Sequence, residues 1–158
     1  MKFKVLFKVL LLLMCAIFSS CVSLQIITKA VFDHNRPAGE NTFFLKPLEV
    51  TAYNFYEKEE VSYILEKKLY LTLSSIKGIK LVGKEANYQI EPELLIKGYE
   101  EKYERKNYYL LNVRIREGNS NVALFSYEYN GSLSIFDGRV QNAMIDKFIK
   151  DLEDFIKL

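Results

Sequence analysis

Three long stretches in the second half of the chain alternate apolar and polar residues with a period of two. They run from Tyr88 to about Tyr103, from Tyr108 to Arg116 and from Val122 to Phe136. Because successive side chains of a strand point to opposite faces, each stretch predicts a half-buried strand. A charged segment over 100–106 and a hairpin turn over 117–121 connect them, so the three strands are expected to form an antiparallel meander.

Two other stretches repeat apolar residues every three or four positions, which is the spacing of one helix face. The first predicted helix covers Glu57 to Ile76, and the second begins at about Gly138 with Asp137 as its N-cap. The apolar stripes are Val61, Leu65, Leu69, Thr72 and Ile76 in the first helix and Val140, Met144, Phe148, Leu152 and Ile156 in the second.

Together these elements predict an α+β fold, a two-layer α/β sandwich. Two helices pack on one face of a mixed, mainly antiparallel sheet of about four to five strands. A first strand over 41–48 that stops at Pro47, the first helix and a short strand over 79–82 are expected to make a parallel crossover. A chain of this length suits one core, so residues 41–158 are expected to form a single domain.

The N-terminus has the three regions of an export signal: basic Lys2, Lys4 and Lys8, an apolar run over 9–18, and small Ser19 and Ser20. The apolar run is about ten residues long, whereas a membrane-spanning helix needs about twenty. Residues 1–20 are therefore predicted to be a signal peptide, and a permanent helical anchor is the less favoured alternative.

The segment Ile17-Phe18-Ser19-Ser20-Cys21 resembles the bacterial lipobox, with Phe18 where that motif usually has Leu. The resemblance implies that Cys21 carries a lipid and becomes the first residue of the mature chain. The alternative is a plain secreted protein with a free Cys21. Cys15 would leave with the signal, so no disulfide is expected.

Residues 21–40 are expected to be a lipidated N-terminus and tether. Residues 33–39 are turn formers without any period, and Leu24, Ile26 and Ile27 can fold back onto the domain. The formal net charge of +2 includes the three signal lysines, and losing them leaves −1. The mature chain therefore has no overall attraction to nucleic acid.

Groups that could carry out catalysis are scarce in this sequence. His34 is its single histidine and lies in the turn-rich 33–39 segment, where a solvated loop residue is expected. No glycine-rich phosphate loop is present, and no free cysteine or second histidine completes a nucleophile pair or a metal site. We therefore expect a protein that is not an enzyme and has no catalytic residues, metal or cofactor.

Basic residues interleaved with tyrosines on the strand faces are the strongest candidates for a binding site. Cations spaced in this way can hold phosphates, and neighbouring tyrosines can lie along acyl chains or sugar rings. The alternative is a solvated sheet face on which glutamates neutralise the basic residues. The candidates for binding an anionic ligand are Lys97, Arg105, Lys106, Arg114 and Arg116.

Several phrases resemble the LptE-like lipopolysaccharide-assembly lipoproteins. They are Phe43-Phe44-Leu45-Lys46-Pro47-Leu48, Leu65-Glu66-Lys67-Lys68-Leu69, Ile79-Lys80-Leu81-Val82 and Glu85-Ala86-Asn87-Tyr88-Gln89-Ile90. The resemblance implies a lipoprotein anchored in the outer membrane, at its periplasmic face, that acts with a β-barrel translocon in the assembly or transport of lipopolysaccharide or another glycolipid. Related two-layer domains occur in the TolB N-terminal domain and in CsgG-like and LpoB-like lipoproteins.

Two alternatives remain beside this function. One is a periplasmic adaptor or activator that binds another cell-envelope protein, as the TolB, CsgG-like and LpoB-like domains suggest. The other is a structural surface lipoprotein without a transport role. The expected partners are thus a β-barrel protein or a glycolipid, with the membrane held through the lipid anchor.

We predict that Cys21→Ser gives an unprocessed or soluble protein, whereas the unaltered protein partitions into detergent. The thiol is the group to which lipid is transferred, so its loss removes the anchor. Labelling with a radioactive fatty acid measures the effect. Incorporation that persists in the Cys21→Ser protein would contradict the assignment.

Overall fold

The computed structural model describes residues 24–31, 41–53, 55, 57–101 and 104–157. For residues 24–31, 99–101 and 104–105 it describes the backbone only. The predicted signal peptide over 1–20, the lipidation site Cys21 and the loop residue His34 lie outside these residues.

Seven strands form one mixed sheet in the described part of the chain, in the order β1-β7-β6-β5-β2-β4, with β3 paired to β5. The long neighbours β1–β7, β7–β6 and β6–β5 are antiparallel, and the short pairs β5–β2, β5–β3 and β2–β4 are parallel. The strands are β1 (Leu24–Val31), β2 (Thr42–Leu45), β3 (Glu49–Ala52), β4 (Lys80–Leu81), β5 (Tyr88–Glu101), β6 (Glu104–Glu117) and β7 (Ser120–Gly131).

The segment Leu24–Val31 differs from the tether expected over 21–40. It forms β1, which pairs antiparallel along β7 at the border of the sheet. Without β1, the outer backbone groups of β7 would be unpaired, and an unpaired edge is a costly feature of a sheet. Pairing with β7 therefore decides the structure of this segment more than its own weak side-chain pattern does.

The sequence predicts a single strand over 41–48, and this prediction is wrong in its bounds. The structure has two short strands, β2 and β3, which follow one another along β5. The break between them contains Pro47, and Pro92 of β5 lies at the same level. The carbonyls of Ile90 and Ile96 accept from Lys46 and Tyr53, so even-numbered residues of β5 direct their backbone groups toward β2 and β3. A backbone N–H at position 92 would therefore point into the break between β2 and β3. Because no strand residue lies there to accept it, Pro92 costs the sheet no hydrogen bond.

Two helices cover one face of the sheet, α1 (Lys58–Ser75) and α2 (Gly138–Lys157), close to the bounds predicted for both. The buried side chains of α1 are Val61, Leu65, Leu69 and Leu73, one per turn. At the start of α2 the Asp137 carboxylate accepts from the Arg139 backbone N–H at 2.9 Å, as an N-cap does. The hydrogen bonds from Arg139 lower the pKa of Asp137 to about 2.

Aromatic side chains join α2 to the centre of the sheet. The rings of Phe125 in β7 and Phe148 in α2 lie 6.1 Å apart between centroids, and both residues are fully buried. Beside them the Tyr127 hydroxyl donates to the Asp151 carboxylate at 3.0 Å. Burial raises the pKa of Tyr127 strongly, and the charge of Asp151 and this hydrogen bond raise it further. The buried Asp151 carboxylate therefore has a hydrogen-bond donor, as buried polar groups in protein cores generally do.

The predicted α+β two-layer sandwich is confirmed, with both helices on the same face of a mixed sheet. The sheet has more strands than the four to five expected, because β1 is added and the first strand is divided. The second face of the sheet is not covered by a helix within the described ranges. No helix in that part of the chain is long and apolar enough to cross a membrane.

Candidate functional site

The face of the sheet opposite the helices carries the outward side chains of β5 and β6. Val113 and Ile115 are fully buried toward the helices, so Arg114 and Arg116 project from this opposite face, as predicted. Three features lie there or at its border: a group of charged residues, a hollow lined by tyrosines, and a groove beside α1.

The charged group, which we call the Glu91 cluster, consists of Lys46, Glu91, Glu93, Arg114 and Arg116. Glu91 lies directly opposite Arg114 in the β5–β6 pairing. Its carboxylate is 2.6 Å from Lys46 Nζ, 3.5 Å from Arg114 Nη1 and 3.6 Å from Arg116 Nη1. Arg114 is also 3.7 Å from Glu93. One carboxylate thus holds three cations together across three neighbouring segments.

Glu91 is the least exposed member of the cluster, with 13% of its side chain accessible. Burial acts to raise the pKa of Glu91, but the hydrogen bond from Lys46 and the charges of Lys46, Arg116 and Arg114 outweigh it and lower the pKa. The carboxylate is therefore ionised at neutral pH.

A cavity of about 200 Å³ opens beside the cluster, lined among others by Lys46, Glu49, Glu91, Glu93 and Arg114. Its three carboxylates outnumber its two cations, which disfavours an anionic ligand. Arg114 pairs with Glu91 and Glu93, and Arg116 pairs with Glu91.

The second feature, the tyrosine hollow, is lined by Tyr53, Lys97, Gly98 and Tyr108 and has a volume of about 590 Å³. Lys97 and Tyr108 are direct partners across β5 and β6. Tyr53 follows β3, is 61% exposed, and has the Lys97 ammonium 5.8 Å from its ring centroid. Gly98, next to Lys97 in β5, contributes only backbone to this lining.

Tyr108 is held in place at the floor of the tyrosine hollow. Its hydroxyl donates to the Glu128 carboxylate of β7 at 3.3 Å. Burial raises the pKa of Tyr108, and so do the charge of Glu128 and this hydrogen bond. The ring is therefore a neutral, fixed surface, whereas Tyr53 on the other side is exposed.

Of the four predicted anion-binding residues whose side chains the structure describes, Lys97 alone lines the tyrosine hollow. Lys106 is half-buried opposite Tyr99, and Arg105, described by its backbone alone, lies opposite Glu100. Sequence reasoning missed Tyr53, because its place beside Lys97 depends on the parallel pairing of β3 with β5. The one feature of the sequence that could have indicated Tyr53 was that it is an aromatic residue a few positions after a predicted strand.

The third feature, the α1 groove, has a volume of about 430 Å³ at the border of β2. Tyr63 and Tyr70 of α1, which are 67% and 55% exposed, line one side, and Phe44, Leu45 and Pro47 line the other. Two large exposed rings on one helix face are typical of protein contact surfaces.

The described side chains contain no group of three or more His, Cys, Asp or Glu residues placed to hold a metal ion. The chemistry that the three features offer is stacking on tyrosine rings, charge pairing by Lys97, and burial of apolar surface.

Comparison of the sequence with protein-family models and with curated proteins finds no match. Several solved structures are similar. The hypothetical protein CT253 from Chlamydia trachomatis has a TM-score of 0.51 at 10% identity, over 75% of this chain and 98% of that one. This likeness supports the fold alone.

Two further similar structures have lower scores. The PelC dodecamer from Paraburkholderia phytofirmans has a TM-score of 0.48 at 10% identity, over 82% of this chain and 96% of that one. Lipoprotein GNA1162 from Neisseria meningitidis has a TM-score of 0.43 at 4% identity, over 72% of this chain and 98% of that one. The LptE-like resemblance of the sequence stays a prediction.

Glu91→Gln should lower the free energy of unfolding by about 1–3 kcal/mol at pH 7, because three cations lose their common carboxylate. Glu93→Gln is the control: its carboxylate is 42% exposed and only approaches Arg114, so the expected loss is below about 1 kcal/mol. Urea unfolding of the three proteins measures both values. Equal losses for the two variants would contradict the central role of Glu91.

The same variants test a dependence on pH. Because folding lowers the pKa of Glu91 from its ordinary value of 4.5, its stabilising effect is complete above that value and is lost as the pH falls through the folded-state pKa. The stability difference between the unaltered protein and Glu91→Gln should therefore shrink on acidification.

Proposed function

We propose that this protein is a lipoprotein of the cell envelope, anchored through Cys21, that binds a partner rather than catalysing a reaction. Its finer role, in our proposal, is in the assembly or transport of lipopolysaccharide or another glycolipid, together with an outer-membrane β-barrel protein. The lipobox-like segment and the LptE-like phrases of the sequence support this assignment, and so does Val22 after the acylated residue, where lipoproteins kept in the inner membrane often have Asp.

The tyrosine hollow is the observation that carries the glycolipid part of the proposal. Its volume of about 590 Å³ lies within the range of about 300–1,000 Å³ that small-molecule sites have. Tyrosine rings offer flat apolar surfaces against which sugar rings can lie, with hydroxyls at their rims. The Lys97 ammonium adds a charge for a phosphate or carboxylate substituent.

The α1 groove supports a protein partner. Tyrosine is enriched at binding hot spots because one side chain supplies a large apolar area together with a hydroxyl. Tyr63 and Tyr70 offer two such side chains beside the apolar residues of β2. In our proposal this groove contacts the β-barrel protein.

The α1 groove favours a second candidate equally, an adaptor or activator that binds another envelope protein. Cross-linking in cells separates the two. Copurification with an outer-membrane β-barrel protein supports the transport role, and copurification with an inner-membrane cell-wall synthase supports the adaptor.

The combined change Tyr53→Ala and Lys97→Gln should weaken binding of purified lipopolysaccharide by about 1–3 kcal/mol, that is, about five- to 150-fold, through loss of one stacking surface and one charge. Titration of the detergent-solubilised lipoprotein measures the affinity. Melting temperatures should stay within a few degrees, because both side chains are exposed.

The matched control is Tyr63→Ala with Lys67→Gln, which also removes one exposed tyrosine and one exposed lysine but lies on α1. Its affinity for lipopolysaccharide should equal that of the unaltered protein. Equal weakening by both double variants would show that the tyrosine hollow is not the glycolipid site.

A further inference from the structure

One row of paired residues crosses five strands of the sheet. Leu24, the first residue of β1, lies opposite Tyr129 of β7, which lies opposite Tyr109 of β6. Tyr109 is paired with Ile96 of β5, and Ile96 with Ala52 of β3. We call this set the Leu24 row.

The Leu24 row is firmly held at its centre. The rings of Tyr109 and Tyr129 stack with centroids 5.6 Å apart. The Tyr129 hydroxyl accepts the Leu133 backbone N–H at 3.0 Å, and the Tyr109 hydroxyl donates to the Leu133 carbonyl at 3.2 Å. The chain that follows β7 is thereby fixed against the row.

The distance from the Leu24 row to the anchor is limited by the covalent chain. Cys21 precedes Leu24 by three residues, and three residues span at most about 11 Å in any conformation. The opposite end of the sheet, at Tyr88, lies eight residues from Ile96 along β5, which is about 26 Å of strand. The end of the sheet at the Leu24 row is therefore closer to Cys21 than the end at Tyr88.

The β5–β6 hairpin continues past the Leu24 row at this same end. Its paired residues run from Lys97 with Tyr108 to Glu101 with Glu104, five pairs that add about 17 Å of strand. The tyrosine hollow lies at the base of this extension, because Lys97 and Tyr108 form the first pair.

We propose that the end of the sheet at the Leu24 row faces the membrane that holds the acyl chains of Cys21, with the β5–β6 hairpin beyond the row inclined along the headgroup layer. The rings of Tyr53 and Tyr108 lie at the level of the headgroups, and the Lys97 ammonium meets lipid phosphates. This orientation rests on the proposed acylation of Cys21. It adds to the proposed function how the domain is oriented on the membrane, and that lipid headgroups are the class of ligand nearest the tyrosine hollow.

The chemistry of the tyrosine hollow fits a headgroup layer. Tyrosine is enriched where membrane and water meet, because its ring is apolar and its hydroxyl is polar. A lysine near an anionic surface adds a favourable electrostatic term. The Glu91 cluster, by contrast, lies farther from the Leu24 row along β5, and its three cations are paired with carboxylates of the protein.

The absence of tryptophan from the sequence makes a direct test available. Tyr53→Trp introduces a single tryptophan at the tyrosine hollow, and Tyr70→Trp introduces one on α1 as the matched control. Both tyrosines are exposed, at 61% and 55%. Tyr70 lies twelve residues beyond Lys58 in α1, about 18 Å along a helix that leads toward β4 at the other end of the sheet.

Each lipoprotein is purified from membranes and reconstituted into phosphatidylcholine and phosphatidylglycerol vesicles that contain lipids with a nitroxide quencher on the headgroup. We expect the fluorescence of Tyr53→Trp to fall at least twofold and that of Tyr70→Trp to change little. Flotation of the vesicles shows whether each protein is bound.

Two results with vesicle-bound protein would overturn the orientation while leaving the anchor intact. In one, Tyr70→Trp is quenched as much as Tyr53→Trp, and in the other neither tryptophan is quenched. Protein that does not float with the vesicles would overturn the anchor as well.

A second probe is Lys97→Cys labelled with a thiol-reactive fluorophore, since acylation leaves the mature chain no other free thiol. Its quenching should match that of Tyr53→Trp.

Discussion

Burial of a single face of the β5–β6–β7 meander is the constraint on which the rest of this structure depends. The buried face carries fully enclosed rings such as Phe125 and Tyr127, and α2 supplies Phe148 and Asp151 to meet them. Burying side chains of this size contributes several kcal/mol each, so both helices are drawn to the same side. The opposite face and the borders of the sheet are then left for other contacts.

The uncovered face divides into two parts with different chemistry. Toward one end, Glu91 pairs with Lys46, Arg114 and Arg116 and keeps the face polar. Toward the other end, the tyrosine hollow has the exposed ring of Tyr53, the half-buried Tyr108 and the lysine Lys97. Because β1 enters the sheet at this second end, the proposed anchor and the proposed ligand site lie on the same side of the domain.

The sequence predicted the elements whose signal is local and missed those that depend on pairing. Both helices and the meander follow from periodicity alone. The split of the first strand requires Pro47 and Pro92 to lie side by side, and a residue 45 positions away cannot be read from a local pattern. Likewise, Arg114 projects from the predicted face, but the register of the β5–β6 hairpin decides that Glu91 lies opposite it.

Hydrogen exchange tests the orientation of the domain most directly, by comparing the lipid-anchored protein in vesicles with the same protein in detergent. With this orientation, we expect slower amide exchange on vesicles in the β5–β6 hairpin beyond the Leu24 row, at residues 97–101 and 104–108. The β6–β7 turn at Gly118 and Asn119, at the opposite end of the sheet, should exchange equally in both. Protection at Gly118 and Asn119 without protection of the hairpin would contradict the account.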